Sequence, residues 1–325
     1  MKQHTRTIRI VTAAVTLAVG FCLVLGSSGA GMTAFFRQII PAMTFLETGR
    51  FPYIQAETRP SLSQTLPQST PTQPEETGSA VLTAADLALI SMTYRCELRP
   101  ALEPLLLRPL SWDLTKGGPA VLILHTHATE CYADGSAQHE SYRTLESSDN
   151  MTAMGAELAR LLEAGGIEVI HDTTYHDYPD YNSAYVNARN TIASYLEQYP
   201  TIRMVLDLHR DASDTTAGQM VTSATVGGQR SAQLMMVVGT DALGNYHPNW
   251  QENLALGLKL SAVLEKENPG ICRPVTLRGE RFNMDQTAGS LLIEVGAAGN
   301  TQQEALIAIH ALAQGILALA QGANS

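Results

Sequence analysis

Positive charge is scarce in this chain. Its 325 residues carry 21 Lys and Arg against 31 Asp and Glu, a formal net charge of −10. Binding to phosphate backbones needs clustered Lys and Arg, and no such cluster occurs, which argues against nucleic acid as a partner. Cysteine is also rare: four in a chain of this length do not make a disulfide framework. Cys22 falls in an apolar segment. Cys96, Cys131 and Cys272 are an odd set, so free thiols are expected, with a Cys96–Cys131 or Cys131–Cys272 bridge as the alternative. Internal repeats, Walker and dinucleotide glycine patterns are absent. A Ser/His/Asp triad drawn from Asp207 and His209 lacks the Gly-x-Ser-x-Gly elbow that would present its nucleophile.

Lys2, Arg6 and Arg9 precede an uncharged apolar run over Ile10–Leu25. Counted from Ile8 to Ala30, the segment suffices to cross roughly 30 Å of hydrocarbon. An uncleaved single-pass anchor over residues 1–30 is therefore expected, with a cleaved signal ending near Gly26–Ala30 as the alternative. Positive charge on the N-terminal side keeps that end in the cytoplasm and places the remainder outside. Residues 31–80 form a juxtamembrane stretch and then a Pro/Thr/Ser-rich linker with prolines at 60, 67, 71 and 74. That composition buries too little apolar surface to offset the entropy of ordering, so it reads as an extended, disordered tether. Residues 81–118 read as an amphipathic lead-in, and 119–325 as the folded catalytic domain.

Within that domain, apolar runs at 121–124, 167–171, 203–208 and 291–295 predict buried strands. Helical periodicity predicts helices from Asp149 or Asn150 to Gly165, over 183–199, over 248–267 and over 302–320. Met220–Val226 and Gln233–Val238 around Gly227-Gly228 predict a hairpin. Strands alternating with helices of ten or more residues give an α/β class with a mostly parallel central sheet flanked by helices.

Ligands in such sheets bind beyond the carboxyl ends of the strands. Three predicted strand ends carry metal-type or acid–base residues. The first runs into His125-Thr126-His127-Ala128-Thr129-Glu130, the second into His209-Arg210-Asp211, and the third holds Glu294. His127-x-x-Glu130 lets one turn aim an imidazole and a carboxylate at a single point, and His209 supplies a third ligand. Two His and one Glu with an open fourth position is a common hydrolytic zinc set. Glu294, among Leu291, Leu292, Ile293 and Val295, is placed to carry the proton. His125 is the alternative to His127, and the two point the same way if the strand continues. His139, His171, His176, His247 and His310 read as surface or structural residues. The loop over 177–182 either lines a substrate groove or is a simple turn. Cys131 adjoins the cluster and offers a competing thiol nucleophile, without an evident oxyanion hole.

The segments LILHTHATE (122–130), HDYPDYN (176–182), DLHRDA (207–212), VVGT (237–240) with PNWQEN (248–253), and LIEVG (292–296) with Gly299-Asn300 resemble the stage II sporulation protein P family in consistent order. The anchor and tether suit that family too. The resemblance implies a fold similar to zinc amidases and carboxypeptidases. It implies a cell-wall hydrolase of sporulation engulfment, an N-acetylmuramoyl-L-alanine amidase that also cleaves peptide cross-links. It further implies Zn2+ on His127 (or His125), Glu130 and His209, with Glu294 catalytic. Implied partners are peptidoglycan and the stage II sporulation proteins D and M. Cys131 departs from an expected Ser, and Ala297-Ala298 from an expected Thr-Asn. A catalytically inactive wall-binding or scaffold protein is the reading from another class.

Overall fold

The computed structural model describes residues 81–115, 117–134, 142–215 and 218–322. In chain order the strands are β1 (Met92–Arg95), β2 (Val121–Leu124), β3 (Val169–His171), β4 (Met204–Asp211), β5 (Asp214–Thr215), β6 (Gly218–Gln219), β7 (Ala224–Val226), β8 (Gln229–Ser231), β9 (Leu234–Val238), β10 (Val275–Arg278) and β11 (Ser290–Ala297). The α-helices are α1 (Leu102–Leu107), α2 (Met151–Ala164), α3 (Ala184–Gln198), α4 (Trp250–Glu267) and α5 (Gln302–Gly322).

Seven strands form one sheet in the order β1-β10-β9-β11-β4-β2-β3. Every pairing in it is parallel except β9–β11. The mixed α/β class with a mostly parallel sheet therefore holds. The one antiparallel pairing divides the sheet into two blocks of opposite direction. The carboxyl ends of β2, β4 and β11 thus lie beside the amino ends of β9 and β10.

Strand alternation sorts the core. Val121, Ile123, Leu206, Leu208, Ile293, Val295, Met236 and Leu277 face one side with the apolar faces of α2, α4 and α5. Leu122, Leu124 and Val205 face the other, where Ala188 and Ile192 of α3 cover them. Asn150 caps α2 by accepting from the Thr152 N–H at 3.0 Å. On the second face α3 covers the β2–β4 side and Met284 and Phe282 pack on Val237 and Leu292, and beside them β11, β9, β10 and β1 line a cleft.

The fold starts earlier than Pro119. β1 is the sheet's edge strand, and Thr83 and Asp86 cap a 3-10 helix over Ala84–Leu89 whose Asp86 pairs with Lys266 of α4 at 2.8 Å. Three half-buried residues and an exposed one offer too little apolar run for β1 to stand out in the sequence, and β10 was missed likewise. The Gly227-Gly228 turn forms as expected, both glycines having positive φ (57° and 78°) as a tight hairpin turn requires. Its second strand is β8, however. Leu234–Val238 instead joins the main sheet, because Leu234, Met236 and Val238 alternate into the core.

α5 is long and apolar enough to cross a membrane by composition, yet 61% of its apolar window is buried inside the fold. It is a core helix. The expected anchor over 1–30 and tether lie outside the described residues.

Gly155 on α2 is a packing requirement. A Cβ there would come within 2.4 Å of His171 Nε2 and 2.5 Å of His125 Nε2. Gly155→Val is expected to lower stability in urea unfolding by about 2–3 kcal/mol, the overpacking cost exceeding any gain in helix propensity. Unchanged stability would show that the two imidazoles yield freely.

Candidate functional site

The turn after β2 is pinned to β4 by two side chains. Asp207 accepts from the Thr126 N–H at 2.7 Å and from its hydroxyl at 2.6 Å. Arg210 donates through Nε to the Cys131 carbonyl at 3.1 Å and through Nη2 to the Tyr142 carbonyl at 2.7 Å. With the turn so held, His127 and Glu130 meet His209 from β4 and Glu294 from β11 around one cleft of about 450 Å³. His209 and Glu294 are direct register neighbours on the paired strands.

Glu130 is buried. Its Oε2 accepts from the Arg210 N–H at 3.2 Å and lies 3.5 Å from His209 Nδ1. Burial pushes its carboxyl upward, but the His209 hydrogen bond and the Arg210 charge outweigh that and hold it at about 2. His209 sits between two carboxylates, its Nε2 3.0 Å from Asp207 Oδ1 though out of line for a hydrogen bond. Burial pulls His209 down, yet Asp207 and Glu130 together raise it well above the usual imidazole range. His127 stacks on Tyr181 with centroids 4.5 Å apart, and Arg143 covers the Tyr181 ring at 4.4 Å. Burial, then the charge on His209, lowers His127 to about 4, so it is neutral. Glu294 is half-buried as a residue, but its Oε2 is enclosed, and burial raises its carboxyl to about 8.

Three buried atoms on this cleft have no hydrogen-bond partner: His127 Nδ1, His209 Nε2 and Glu294 Oε2. In native proteins such atoms need an explanation, and a bound ion is one. Their donor chemistry fits zinc. In the present conformation, however, no three His, Cys, Asp or Glu side chains converge as a formed metal cage among the described residues. Glu130 turns instead toward the guanidinium groups of Arg143 and Arg210, each 3.6 Å from Oε1.

His125 is not at the cleft. The strand ends at Leu124, so alternation stops, and His125 and His127 diverge. His125 lies beneath α2, with Nδ1 3.2 Å from the Leu208 carbonyl and Nε2 3.0 Å from His171 Nε2. His176 is likewise structural, placed between the His125 carbonyl and the Thr191 hydroxyl at 3.0 Å each. The 177–182 loop contributes Tyr181 to the cleft. Asp177 accepts from the Thr129 hydroxyl at 2.6 Å and from Arg143 at 2.9 Å. Arg143 and Tyr185 were missed in the sequence, because a surface-type arginine and a helical tyrosine give no local signal. Cys96, Cys131 and Cys272 are free. Cys131 is fully buried, and that burial raises its thiol, opposite to the shift a nucleophile needs. Cys131→Ser is expected to keep any hydrolytic activity within about twofold; a loss of 10²-fold or more would reinstate the thiol as nucleophile.

The structure resembles N-acetylmuramoyl-L-alanine amidase AmiC2 of Nostoc punctiforme (13% identity, TM-score 0.37, 62% of this chain and 97% of that one). It also resembles the CwlD amidase from Clostridioides difficile solved with the GerS lipoprotein (15%, TM-score 0.36, 62% and 94%). In sequence the chain is 28% identical over 207 residues to Stage II sporulation protein P of Bacillus subtilis (strain 168), covering 59% of this chain and 49% of that protein. It thus spans about half the length of the curated relative it matches. The family profile of stage II sporulation protein P matches residues 52–317, most of the chain including the whole of the cleft described above, and the chain belongs to that family.

Proposed function

We propose that this protein is a zinc-dependent peptidoglycan hydrolase of sporulation that cleaves the N-acetylmuramoyl-L-alanine amide, with peptide cross-links as a second target. The observation that carries the reading is the set of unpartnered buried atoms on His127, His209 and Glu294 around one cleft, with Glu130 between them. His127, Glu130 and His209 would hold the ion. Bound zinc lowers the pKa of its water to about 7 and so supplies hydroxide at neutral pH.

The remaining steps belong to the chain. Glu294, ionised once a cation's charge beside it offsets its burial, takes the proton of the attacking water and passes it to the leaving amine. Asp207 holds the turn that carries His127 and Glu130 through its two bonds to Thr126, and its charge stands beside His209. Arg210 and Arg143 keep Glu130 ionised, and Tyr181 shields His127 from solvent. The protein acts outside the cytoplasm, tethered through residues 1–30, in company with the stage II sporulation proteins D and M during engulfment.

The test is a muropeptide digest with metal analysis. Purified full-length protein is expected to carry about one zinc per chain and to release stem peptides from cell wall, read by mass spectrometry. That no three donors converge among the described residues favours a second reading, an inactive wall-binding module. Binding to sacculi without any released product would support that module and overturn the hydrolase.

A further inference from the structure

The cleft extends well beyond the four residues assigned above. The second face of the sheet continues from β11 across β9 and β10 to the edge strand β1. Register partners build one row from Leu292, Val237, Thr276 and Thr93. One row nearer the catalytic end stand Glu294 and Met235. One row further away, Arg278 pairs in register with Arg95. All eight residues line the same cleft.

Two arginines side by side on one face of a strand pair repel each other unless an anion lies between or beside them. Arg278 has Glu280, with bonds of 3.1 and 3.0 Å. The cleft's other arginines are also paired: Arg143 with Asp177, Arg210 with Glu130 and Arg273 with Asp211. Arg95 is exposed and has no carboxylate partner among the described residues. An open guanidinium at the end of a cleft, next to a second one, is a fork suited to a carboxylate.

Distance decides which carboxylate. From Glu294 to the Arg278–Arg95 row is four residues along the strands, about 13 Å, and three strand spacings across to β1, about 14 Å, or about 20 Å on the diagonal. The arginine side chains reach back over part of that span. An extended peptide covers about 3.3–3.6 Å per residue, so four or five residues bridge it.

The geometry points to Arg95 and Arg278 as a specificity subsite that binds a free carboxylate near the far end of a short acidic peptide whose near end lies at Glu294. This subsite rests on the hydrolase reading for the placement of the scissile bond. It adds a requirement that this reading does not contain: the peptide arm must be anionic, and its amidated form is a poorer ligand.

Binding and turnover separate the two claims. The probe is a synthetic muramyl tetrapeptide with free carboxylates, compared with the same molecule amidated, titrated by calorimetry into full-length Glu294→Gln protein. The free acid is expected to bind about tenfold more tightly than the amide. Arg95→Gln and Arg278→Gln should each remove that preference while leaving affinity for the amidated probe unchanged. Equal binding of both probes by the parent protein, a preference that survives both substitutions, or the absence of binding to either probe overturns the subsite. A preference that depends on the arginines, in a wild-type protein that releases no product from cell wall, supports the subsite and overturns the hydrolase.

Discussion

Glu294→Gln is expected to lower stem-peptide release by about 10²–10⁴-fold, a barrier increase of about 3–5 kcal/mol, with little change in wall binding. Gln has the shape of Glu and cannot take a proton, so it removes the proton carrier and leaves the packing. The position suits the role. Glu294 lies on β11 between core residues Ile293 and Val295, beside His209 in register, with Oε2 enclosed and unpartnered. Keeping a carboxyl there costs stability, because burial opposes its ionisation and drives its pKa to about 8. The same substitution is therefore expected to leave the melting temperature unchanged or raised, as happens where a strained active-site group is neutralised. Full activity in the Gln variant would remove Glu294 from the mechanism. Lost activity together with a lowered melting temperature would point to a structural role.

Chelation and His209→Ala carry the next largest effect. Chelator-treated wild type is expected to lose wall hydrolysis and to unfold at a lower temperature, since an ion bound only by the folded state stabilises it. Zinc should restore both. His209→Ala, His127→Ala and Glu130→Gln should each hold well under one zinc per chain by elemental analysis and show no further response to chelator. His209→Ala should also be the least stable of the three. It leaves Glu130 and Asp207 facing each other without the imidazole between them, and removing one partner from a buried charge pair costs about 3–5 kcal/mol. Glu130 retains Arg210 and Arg143, which limits the loss. Equal zinc content in all three variants and wild type would overturn the ligand assignment.

Much of this was written locally in the chain. The buried strands at 121–124, 204–211 and 290–297 follow from uninterrupted or alternating apolar runs, and the helices from 3.6-residue periodicity closed by Asn150 and by Gly165. His127, Glu130, His209 and Glu294 were visible because polar residues at the ends of buried strands conflict with their surroundings. Such conflicts mark sites. The structure alone decided what depends on residues far apart in sequence. Whether His125 shares the cleft turned on where β2 stops, which the packing of His125 and His171 against Gly155 fixes. That β1 belongs to the sheet depended on β10 about 180 residues later, a non-local pairing that four residues, three half-buried and one exposed, do not announce. The reversal at β9–β11 likewise had no local trace. By turning β9, β10 and β1 against the parallel block, it carries the cleft floor from Glu294 to Arg95. The sequence by itself therefore marked which polar residues stand at the ends of buried strands. Tertiary structure decided what they face, because direction and adjacency in a sheet are set by hydrogen bonding between distant strands rather than by the side chains of any one of them.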